Sequence, residues 1–268
     1  MNFWNGNKSP IRQHYELDIL HCLLTATEKE FGQFTLHNDV TDYPLAEDEG
    51  NVFNTGTDIL VTVAGNTKFA QHHKIIIPQA IAKGLLGYRL LIIKQDKRDK
   101  FKHINTAKQM QQLTAGIPAT WADADLFRAN NYAVCEKGVF GEVFQRLKNN
   151  ECDYVALGAN EIEEAFTTMA EPLGDLVIEP TLMLYYPFPL VFYLNPKQVE
   201  LAARVKVGLQ YITNNGQLDA IFNKYNGNIV ERLSLKQRKI LHLNNPILPN
   251  EMRDFSPNLL GNSSDYTA

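Results

Sequence analysis

The stretch that decides the fold class is residues 113–157, LTAGIPATWADADLFRANNYAVCEKGVFGEVFQRLKNNECDYVAL. Strand patterns occur at Leu113–Ile117, Tyr132–Glu136 and Asp153–Leu157, and helical patterns at Ala122–Asn130 and Phe140–Asn149 separate them. A strand–helix–strand–helix–strand series of this kind builds a parallel sheet with helices on both faces. The sequence therefore predicts an α/β protein.

Two further strands flank this series. Leu85–Lys94 (LLGYRLLIIK) precedes it and is unusually long, and Pro187-Phe-Pro189 leads into Val191–Leu194 after it. The hydrophobic periodicity predicts additional helices and strands farther along the chain in both directions. The predicted helices are Tyr15–Phe31, Asn160–Met169, Lys197–Thr213 and Leu218–Tyr225, and the predicted strands are Gln33–His37, Thr57–Ala64 and Leu176–Tyr186.

The composition limits the classes of function. The chain has 268 residues, 44% of them hydrophobic, which suffices for one large domain or for two lobes with their own cores. A net charge of −4 argues against a nucleic-acid-binding surface. The sequence contains no run of about 18 apolar residues, so it does not predict a membrane-spanning helix. The start, Met1–Trp4, has neither a basic region nor an apolar region of a signal peptide, so we expect a cytoplasmic protein or a form whose signal is removed.

Common catalytic and metal-binding motifs are missing from the sequence. It contains no GxSxG, no Walker loop, no GxGxxG and no HExxH, and adjacent His72 and His73 do not face one metal easily. We therefore predict no catalytic residue, no metal and no cofactor. Cys22, Cys135 and Cys152 have no CxxC spacing and are expected to be buried free thiols, with a Cys135–Cys152 bridge as the alternative.

Two longer segments carry a resemblance to a known family. They are Pro78–Ile93 (PQAIAKGLLGYRLLII) and Thr181–Pro249, which includes TLMLYYPFPLVFYLNP, NNGQLDAIFNKYNG and LKQRKILHLNNPILP. Together with ATWADADLFRANNYAV and DYVALGANEIEEAF, they resemble extracellular solute-binding proteins related to the polar amino-acid receptors of ABC transporters. The resemblance covers nearly the whole chain. It implies a type II periplasmic-binding fold, in which two hinge strands join two lobes around an interlobe cleft.

The resemblance also implies a domain organisation and a function. Lobe 1 would comprise residues 1–88 and 190–243, lobe 2 residues 89–189, and residues 244–268 would form an extended C-terminal tail. Such a protein captures a small polar solute, an amino acid or a related small charged metabolite, between its lobes. It would deliver that solute to an ABC permease, as a periplasmic monomer without a cofactor. The alternatives are a dehydratase-like enzyme on the same fold, with Glu161 as its candidate acid or base, and a sensory module.

The predicted ligand contacts follow from the same resemblance. Lys68 aligns with the arginine that binds the ligand carboxylate in amino-acid receptors, and it keeps the charge but loses the planar fork. Thr120 and Trp121, with Asp123 behind them, stand at a helix start whose free N–H groups favour an anionic or polar group. The simpler interpretations are a solvated Lys68, a helix-capping Thr120 and a core Trp121.

The remaining predicted ligand contacts correspond less directly to those of the amino-acid receptors. Gly158 occupies the place of the aspartate that binds the ligand ammonium, so Asn160 and Glu161 are the nearest polar substitutes. In the first loop, Trp4 and Ser9 are expected to reach the mouth of the cleft, although Ser9 before a proline also suits a turn. Asn160 and Glu161 likewise suit a helix start without a ligand role. The departures at positions 68 and 158 argue against a plain α-amino acid as the ligand.

Overall fold

The computed structural model of the protein describes residues 1–257, 259 and 260, and its chain forms two compact units. Unit 1 contains Met1–Ala82 and Leu190–Asn228, and unit 2 contains Lys83–Pro189 and the chain from Ile229 onward. Each unit has its own sheet. No helix among the described residues has both the length and the apolar character that crossing a membrane requires.

The elements of the described residues are numbered in chain order. The strands are β1 (Asn2–Trp4), β2 (His37–Asp39), β3 (Ile59–Val63), β4 (Ile75–Ile77), β5 (Tyr88–Lys94), β6 (Thr114–Ile117), β7 (Ala133–Glu136), β8 (Tyr154–Gly158), β9 (Leu176–Tyr185), β10 (Leu190–Leu194) and β11 (Lys239–His242). The α-helices are α1 (Pro10–Ala26), α2 (Glu28–Phe31), α3 (Ala46–Gly50), α4 (Arg98–Lys102), α5 (Ala107–Met110), α6 (Ala122–Ala129), α7 (Val143–Lys148), α8 (Ile162–Ala165), α9 (Val199–Asn214), α10 (Gln217–Asn226) and α11 (Ile229–Arg232).

Unit 1 is built on a five-stranded sheet of order β2-β1-β3-β10-β4. β1 runs parallel to both β2 and β3, and β10 runs antiparallel to β3 and β4. The helices α1, α9 and α10 contact one another, and α9 also contacts β4. Apolar side chains of the central strands, such as Ile59, Leu60 and Phe192, are fully buried. This sheet and these helices form the core of unit 1.

Unit 2 is built on a six-stranded sheet of order β11-β9-β5-β8-β6-β7. β6 pairs parallel with β7 and β8, as the strand–helix–strand series predicts. β5 instead pairs antiparallel with β8 and β9, and β11 adds to β9 in parallel. The four residues Leu90–Ile93 of β5 are fully buried because neighbouring strands cover both of its edges and packed side chains cover both of its faces. The α/β fold class is confirmed.

The two compact units divide the chain at different places from the predicted lobes. The chain leaves unit 1 after residue 82 and returns to it at residue 190, whereas the predicted lobes change after residues 88 and 189. Residues 229–243, predicted for lobe 1, belong to unit 2, so the chain passes between the units three times and not twice. The reason is β11, whose backbone pairs with β9, and Arg238, which donates from Nη1 to the carbonyl of Glu179.

The predicted extended tail, 244–268, is partly anchored to unit 2. The backbone N–H of Asn244 donates to Asn130 Oδ1 at 2.8 Å, and Asn245 Nδ2 donates to the carbonyl of Pro187 at 2.7 Å. A short 3₁₀ turn follows at Asn250–Met252. Residues 258 and 261–268 of the predicted tail lie outside the described residues.

Two predicted helices are broken by side chains that compete for backbone groups. The helix predicted for Tyr15–Phe31 begins at Pro10 and is interrupted at Thr27, whose hydroxyl donates to the carbonyls of Leu23 and Leu24. The segment predicted as the helix Asn160–Met169 contains α8 and then a π-helical turn. In that turn the hydroxyls of Thr167 and Thr168 donate to backbone carbonyls four residues earlier. Local hydroxyl bonds of this kind weaken a regular helix.

Gly208 permits the close approach of α9 to α1. A Cβ atom at this position would lie 2.7 Å from the backbone oxygen of Leu23 and 2.9 Å from its Cβ. We therefore expect Gly208→Ala to push the two helices apart and to lower the free energy of unfolding by about 1–3 kcal/mol. Urea denaturation measures the change. Gly141→Ala is the control, because no atom lies within 4 Å of its added Cβ, and an equal loss in both variants would contradict the packing argument.

Candidate functional site

The residues of interest in unit 2 gather at one edge of its sheet. The carboxyl ends of the parallel strands β6, β7 and β8 meet there, and the antiparallel β5 begins and β9 ends at the same edge. We call it the carboxyl edge of unit 2. In open α/β sheets, ligands bind outside the carboxyl ends of the strands. This edge therefore holds the candidate site of unit 2.

A buried arginine, the second residue of β5, organises this edge. Arg89 is 2% exposed; its Nε donates to the hydroxyl of Tyr186 at 2.5 Å and its Nη2 donates to Asp123 Oδ1. The hydroxyl of Tyr186 in turn donates to the same Asp123 oxygen at 2.5 Å. Arg89 Nη1 lies 3.9 Å from Glu161 Oε2 and makes no hydrogen bond with any described residue. One guanidinium thus joins β5, α6 and the chain after β8 and β9.

The charges of this cluster are fixed by its surroundings. Burial lowers the pKa of Arg89, but Asp123, Tyr186 and Glu161 together outweigh burial and raise it. Burial raises the pKa of Tyr186 well above its usual value, against the opposing effect of Arg89. Tyr186 therefore remains a neutral phenol that donates to Asp123. The guanidinium of Arg89 also lies 5.3 Å from the ring centre of Tyr186 and 5.2 Å from that of Phe188.

The helix start at α6 differs from its predicted form. Trp121, and not Thr120, is the residue that precedes the helix, and Thr120 has a left-handed φ of 69°. The backbone N–H of Thr120 already donates to Glu136 Oε1 at 2.9 Å, and Asp123 is part of the first turn. The N–H group predicted to meet an anion is thus occupied by a carboxylate. Trp121 is half-buried and stacks on Phe140, with ring centres 5.2 Å apart.

Asn160 and Glu161 follow β8 directly and lie at the same edge. A Cβ atom on Gly158 would lie 2.6 Å from Leu86 Cδ1 and 2.8 Å from Asn160 Oδ1, so a side chain at position 158 would displace those of Leu86 and Asn160. Asn160 Oδ1 is buried and accepts no hydrogen bond from the described residues. Glu161 precedes α8, with its side chain 15% exposed beside Arg89. The structure brings together Thr120, Trp121, Asn160 and Glu161 at this edge.

Lys68 lies in unit 1, in a short 3₁₀ turn after β3. Its Nζ forms an ion pair with Glu49 Oε2 at 2.7 Å, and both side chains are largely buried. Asn7 Nδ2 donates to the same Glu49 oxygen at 2.8 Å. The charge of Lys68 is therefore already balanced within unit 1.

Trp4 and Ser9 have different roles in unit 1. Trp4 is 2% exposed, and its indole N–H donates to the carbonyl of Thr41 at 2.9 Å, so it is a core residue. Ser9 precedes α1 without capping it, and its buried Oγ makes no hydrogen bond with any described residue. Ser9 thus keeps a free hydroxyl at the start of a long helix.

Two charged clusters were missed by the sequence analysis. In unit 1, Glu16 is fully buried and pairs with Lys8 Nζ at 2.5 Å and with Arg12 Nη2 at 2.9 Å. Burial lowers the pKa of Lys8, against the raising effect of Glu16.

In unit 2, the sequence does contain a signal for the Arg89 cluster, namely a single arginine in an otherwise apolar strand, YRLLII. A buried charge in such a strand requires partners at the strand end.

Comparisons with known proteins define the fold. No family model and no curated protein sequence matches the chain. Solved structures do match over nearly their whole length. The arginine third transport system periplasmic binding protein from Legionella pneumophila is 12% identical, with a TM-score of 0.59, 84% of this chain covered and 98% of the other. A periplasmic His/Glu/Gln/Arg/opine family-binding protein from Silicibacter pomeroyi, in complex with lysine, is 13% identical, with a TM-score of 0.59 and coverages of 84% and 96%.

A histidine kinase sensor domain similar to periplasmic binding proteins is 13% identical, with a TM-score of 0.59 and coverages of 85% and 96%. At these identities the likeness shows the fold alone. The chain has the type II periplasmic-binding fold, as the sequence resemblance implies.

Breaking the Arg89 cluster from one side should destabilise unit 2. Arg89→Met leaves the carboxylate of Asp123 buried without its cation, which costs about 3–5 kcal/mol of unfolding free energy. Arg89→Met combined with Asp123→Asn should recover part of that loss, because neither charge is then left alone. Urea denaturation of the single and double variants gives the coupling. Arg128→Met, which breaks the exposed pair with Glu136, is the control and should cost about 0–1 kcal/mol. Additive losses in the double variant would show that Arg89 and Asp123 do not act as a pair.

Proposed function

We propose that this protein is a solute-binding protein that captures a small polar ligand for ABC-type transport. The ligand is an amino acid or a related small charged metabolite. The fold supports the proposal, because the solved structures described above include two periplasmic binding proteins of transport systems. We further propose that the protein acts as a periplasmic monomer, delivers its ligand to a permease and needs no cofactor.

The observation that carries the proposal is the carboxyl edge of unit 2. A fully packed core has no need of a guanidinium with two carboxylates and a phenol, because burying charges costs free energy that apolar side chains do not. Arg89 nevertheless occupies this edge, with Nη1 unbonded among the described residues and Glu161 3.9 Å away. A polar site held rigid in this way suits binding of a polar ligand.

The charges of the edge indicate which ligand group it suits. Arg89, Asp123 and Glu161 together sum to one negative charge, and Asn160 Oδ1 is an additional acceptor without a donor among the described residues. An ammonium, guanidinium or amide group of the ligand would be attracted by this negative charge and would donate to Asn160 Oδ1. The stacked rings of Trp121 and Phe140 offer a flat aromatic face that suits a cation or an aliphatic chain.

The enzyme alternative has little support. Glu161 is the candidate acid or base, and its carboxylate lies 3.9 Å from the guanidinium of the buried Arg89, a cation that favours the ionised form and so disfavours a role as an acid. The structures reported above are named for binding or sensing. The sensory alternative uses the same ligand-binding step, so the partner of the protein would separate it from the transport proposal.

A melting-shift screen tests the proposal directly. The twenty amino acids, short polyamines and small organic acids are added singly to the protein, and at least one cationic or zwitterionic compound should raise Tm in a saturable way. Glu161→Gln should weaken the binding of that compound roughly 10- to 100-fold. Glu151→Gln changes the same charge just before β8, at the opposite edge of the sheet, and should leave the affinity unchanged.

The screen also contains the results that contradict the proposal. If no compound shifts Tm, the receptor function loses its basis. If a compound is consumed and a product accumulates, the protein is an enzyme. If Glu161→Gln and Glu151→Gln weaken binding equally, the ligand is attracted by net charge and is not held at the carboxyl edge of unit 2.

The predicted role of Lys68 needs a separate test, because Lys68 is paired with Glu49. If Lys68 binds an anionic ligand group, Lys68→Met should weaken binding roughly 10- to 100-fold, as the loss of one charge-assisted hydrogen bond of about 1.5–3 kcal/mol implies. Glu49→Gln frees the same lysine and should leave affinity equal or higher. Calorimetric titration with the compound found in the screen distinguishes the two variants. If both variants lose stability but neither loses affinity, Lys68 serves only as the partner of Glu49.

A further inference from the structure

Two of the three cysteines lie against the same glycine of unit 2. A Cβ atom built on Gly116 of β6 would lie 2.5 Å from Cys152 Sγ and 3.3 Å from Cys152 Cβ. The sulfur of Cys152 therefore occupies the space that a side chain at position 116 would take. This placement puts Cys152 on one face of the sheet, directly over Gly116.

Cys135 is the neighbour of Gly116 on the adjacent strand. The two residues are partners in the parallel ladder between β6 and β7, so their side chains point to the same face of the sheet. Adjacent strands are about 4.8 Å apart. The Cβ of Cys135 is thus about 5 Å from the point that a Cβ on Gly116 would occupy. The Cβ of Cys152 lies 3.3 Å from that same point. A disulfide joins Cβ atoms about 3.5–4.5 Å apart, and the two cysteines are near enough to reach this distance.

We propose that Cys135 and Cys152 form an intramolecular disulfide when the protein is exposed to an oxidising thiol–disulfide environment. Both thiols are reduced in the structure. The missing side chain of Gly116 leaves the space through which the two sulfurs approach each other. The bridge would close the segment 136–151, which contains α7, against the sheet.

The two sulfurs differ in accessibility, and this sets the order of the reaction. Cys135 is half-buried and Cys152 is buried, so a disulfide reagent from solution reaches Cys135 first. Burial raises the pKa of Cys152 to about 12, and Cys135 adds to the rise, whereas the cation of Arg146 opposes it. The guanidinium of Arg146 is buried and makes no hydrogen bond within the described chain, so it is available as a counter-ion for a Cys152 thiolate.

The exchange is balanced with oxidised glutathione as the oxidant. The Cys135 thiolate attacks one sulfur of the glutathione disulfide, forms a mixed disulfide and releases one glutathione thiolate. The Cys152 thiolate then attacks Cys135 Sγ, the bond between Cys135 and glutathione breaks, and a second glutathione thiolate leaves. Two protein thiols are oxidised and one glutathione disulfide is reduced to two glutathiones. Because the second step needs a thiolate of high pKa, the closure should be slow and faster at higher pH.

The experiment uses the whole purified protein, reduced and then incubated with oxidised glutathione at pH 8. Free thiols are counted in denaturant with a chromogenic disulfide reagent, and the count should fall from three to one. Peptide mass analysis should then find Cys135 joined to Cys152, with Cys22 still free. Closing the loop should raise Tm by about 5 °C or more relative to the reduced protein.

Two variants keep the test specific. Cys22→Ser should form the bridge as the wild type does, since Cys22 lies in unit 1. Gly116→Ala fills the space that Cys152 Sγ occupies and should slow closure at least several-fold. A thiol count that stays at three, a glutathione adduct that persists on Cys135, or a bridge that includes Cys22 would each overturn the proposal.

Discussion

The buried guanidinium of Arg89 is the constraint on which the arrangement of unit 2 depends. A charge that is almost completely removed from water must be matched by partners at hydrogen-bond distance, since an isolated buried ion is far too costly. Asp123, in the first turn of α6, and Tyr186, which directly follows β9, provide that match. The strand β5, the start of α6 and the end of β9 are therefore held in one geometry by a single side chain. Nη1 of the same guanidinium is buried and has no hydrogen-bond partner among the described residues.

Each unit contains one buried charged side chain that lies beside two groups of the opposite charge. In unit 1 a buried glutamate holds two cations, Lys8 and Arg12, and in unit 2 a buried arginine holds two carboxylates, Asp123 and Glu161. Both clusters hold charged side chains away from water, so each buried charge depends on partners within its own unit. Removing one partner alone would leave a buried charge without its counter-ion, which costs far more than the loss of an exposed pair.

The sequence predicted the architecture better than the site. Long periodic segments such as Lys197–Thr213 and the alternating series from Leu113 to Leu157 correspond to observed elements, because burial of a regular face determines them. Strands of three or four residues, β1, β4 and β11, contain too few residues for a period to be detected. Lys68 lies in a short turn after a strand, but its partner Glu49 is 19 residues away in the sequence and no local pattern connects them.

The third passage of the chain, at Asn228 and Ile229, has a consequence for how the protein is made. Both units are assembled from separated segments, so neither is encoded by one continuous stretch of the sequence. The sheet of unit 2 is completed only when β11 adds to β9, and β11 ends at residue 242 of 268. Until residues 239–242 have added to the sheet, the ten-residue strand β9 is an edge strand with residues 182–185 unpaired on that side. Once β11 has paired, the edge of the sheet is a strand of only four residues, and short edge strands offer other chains few unpaired backbone groups.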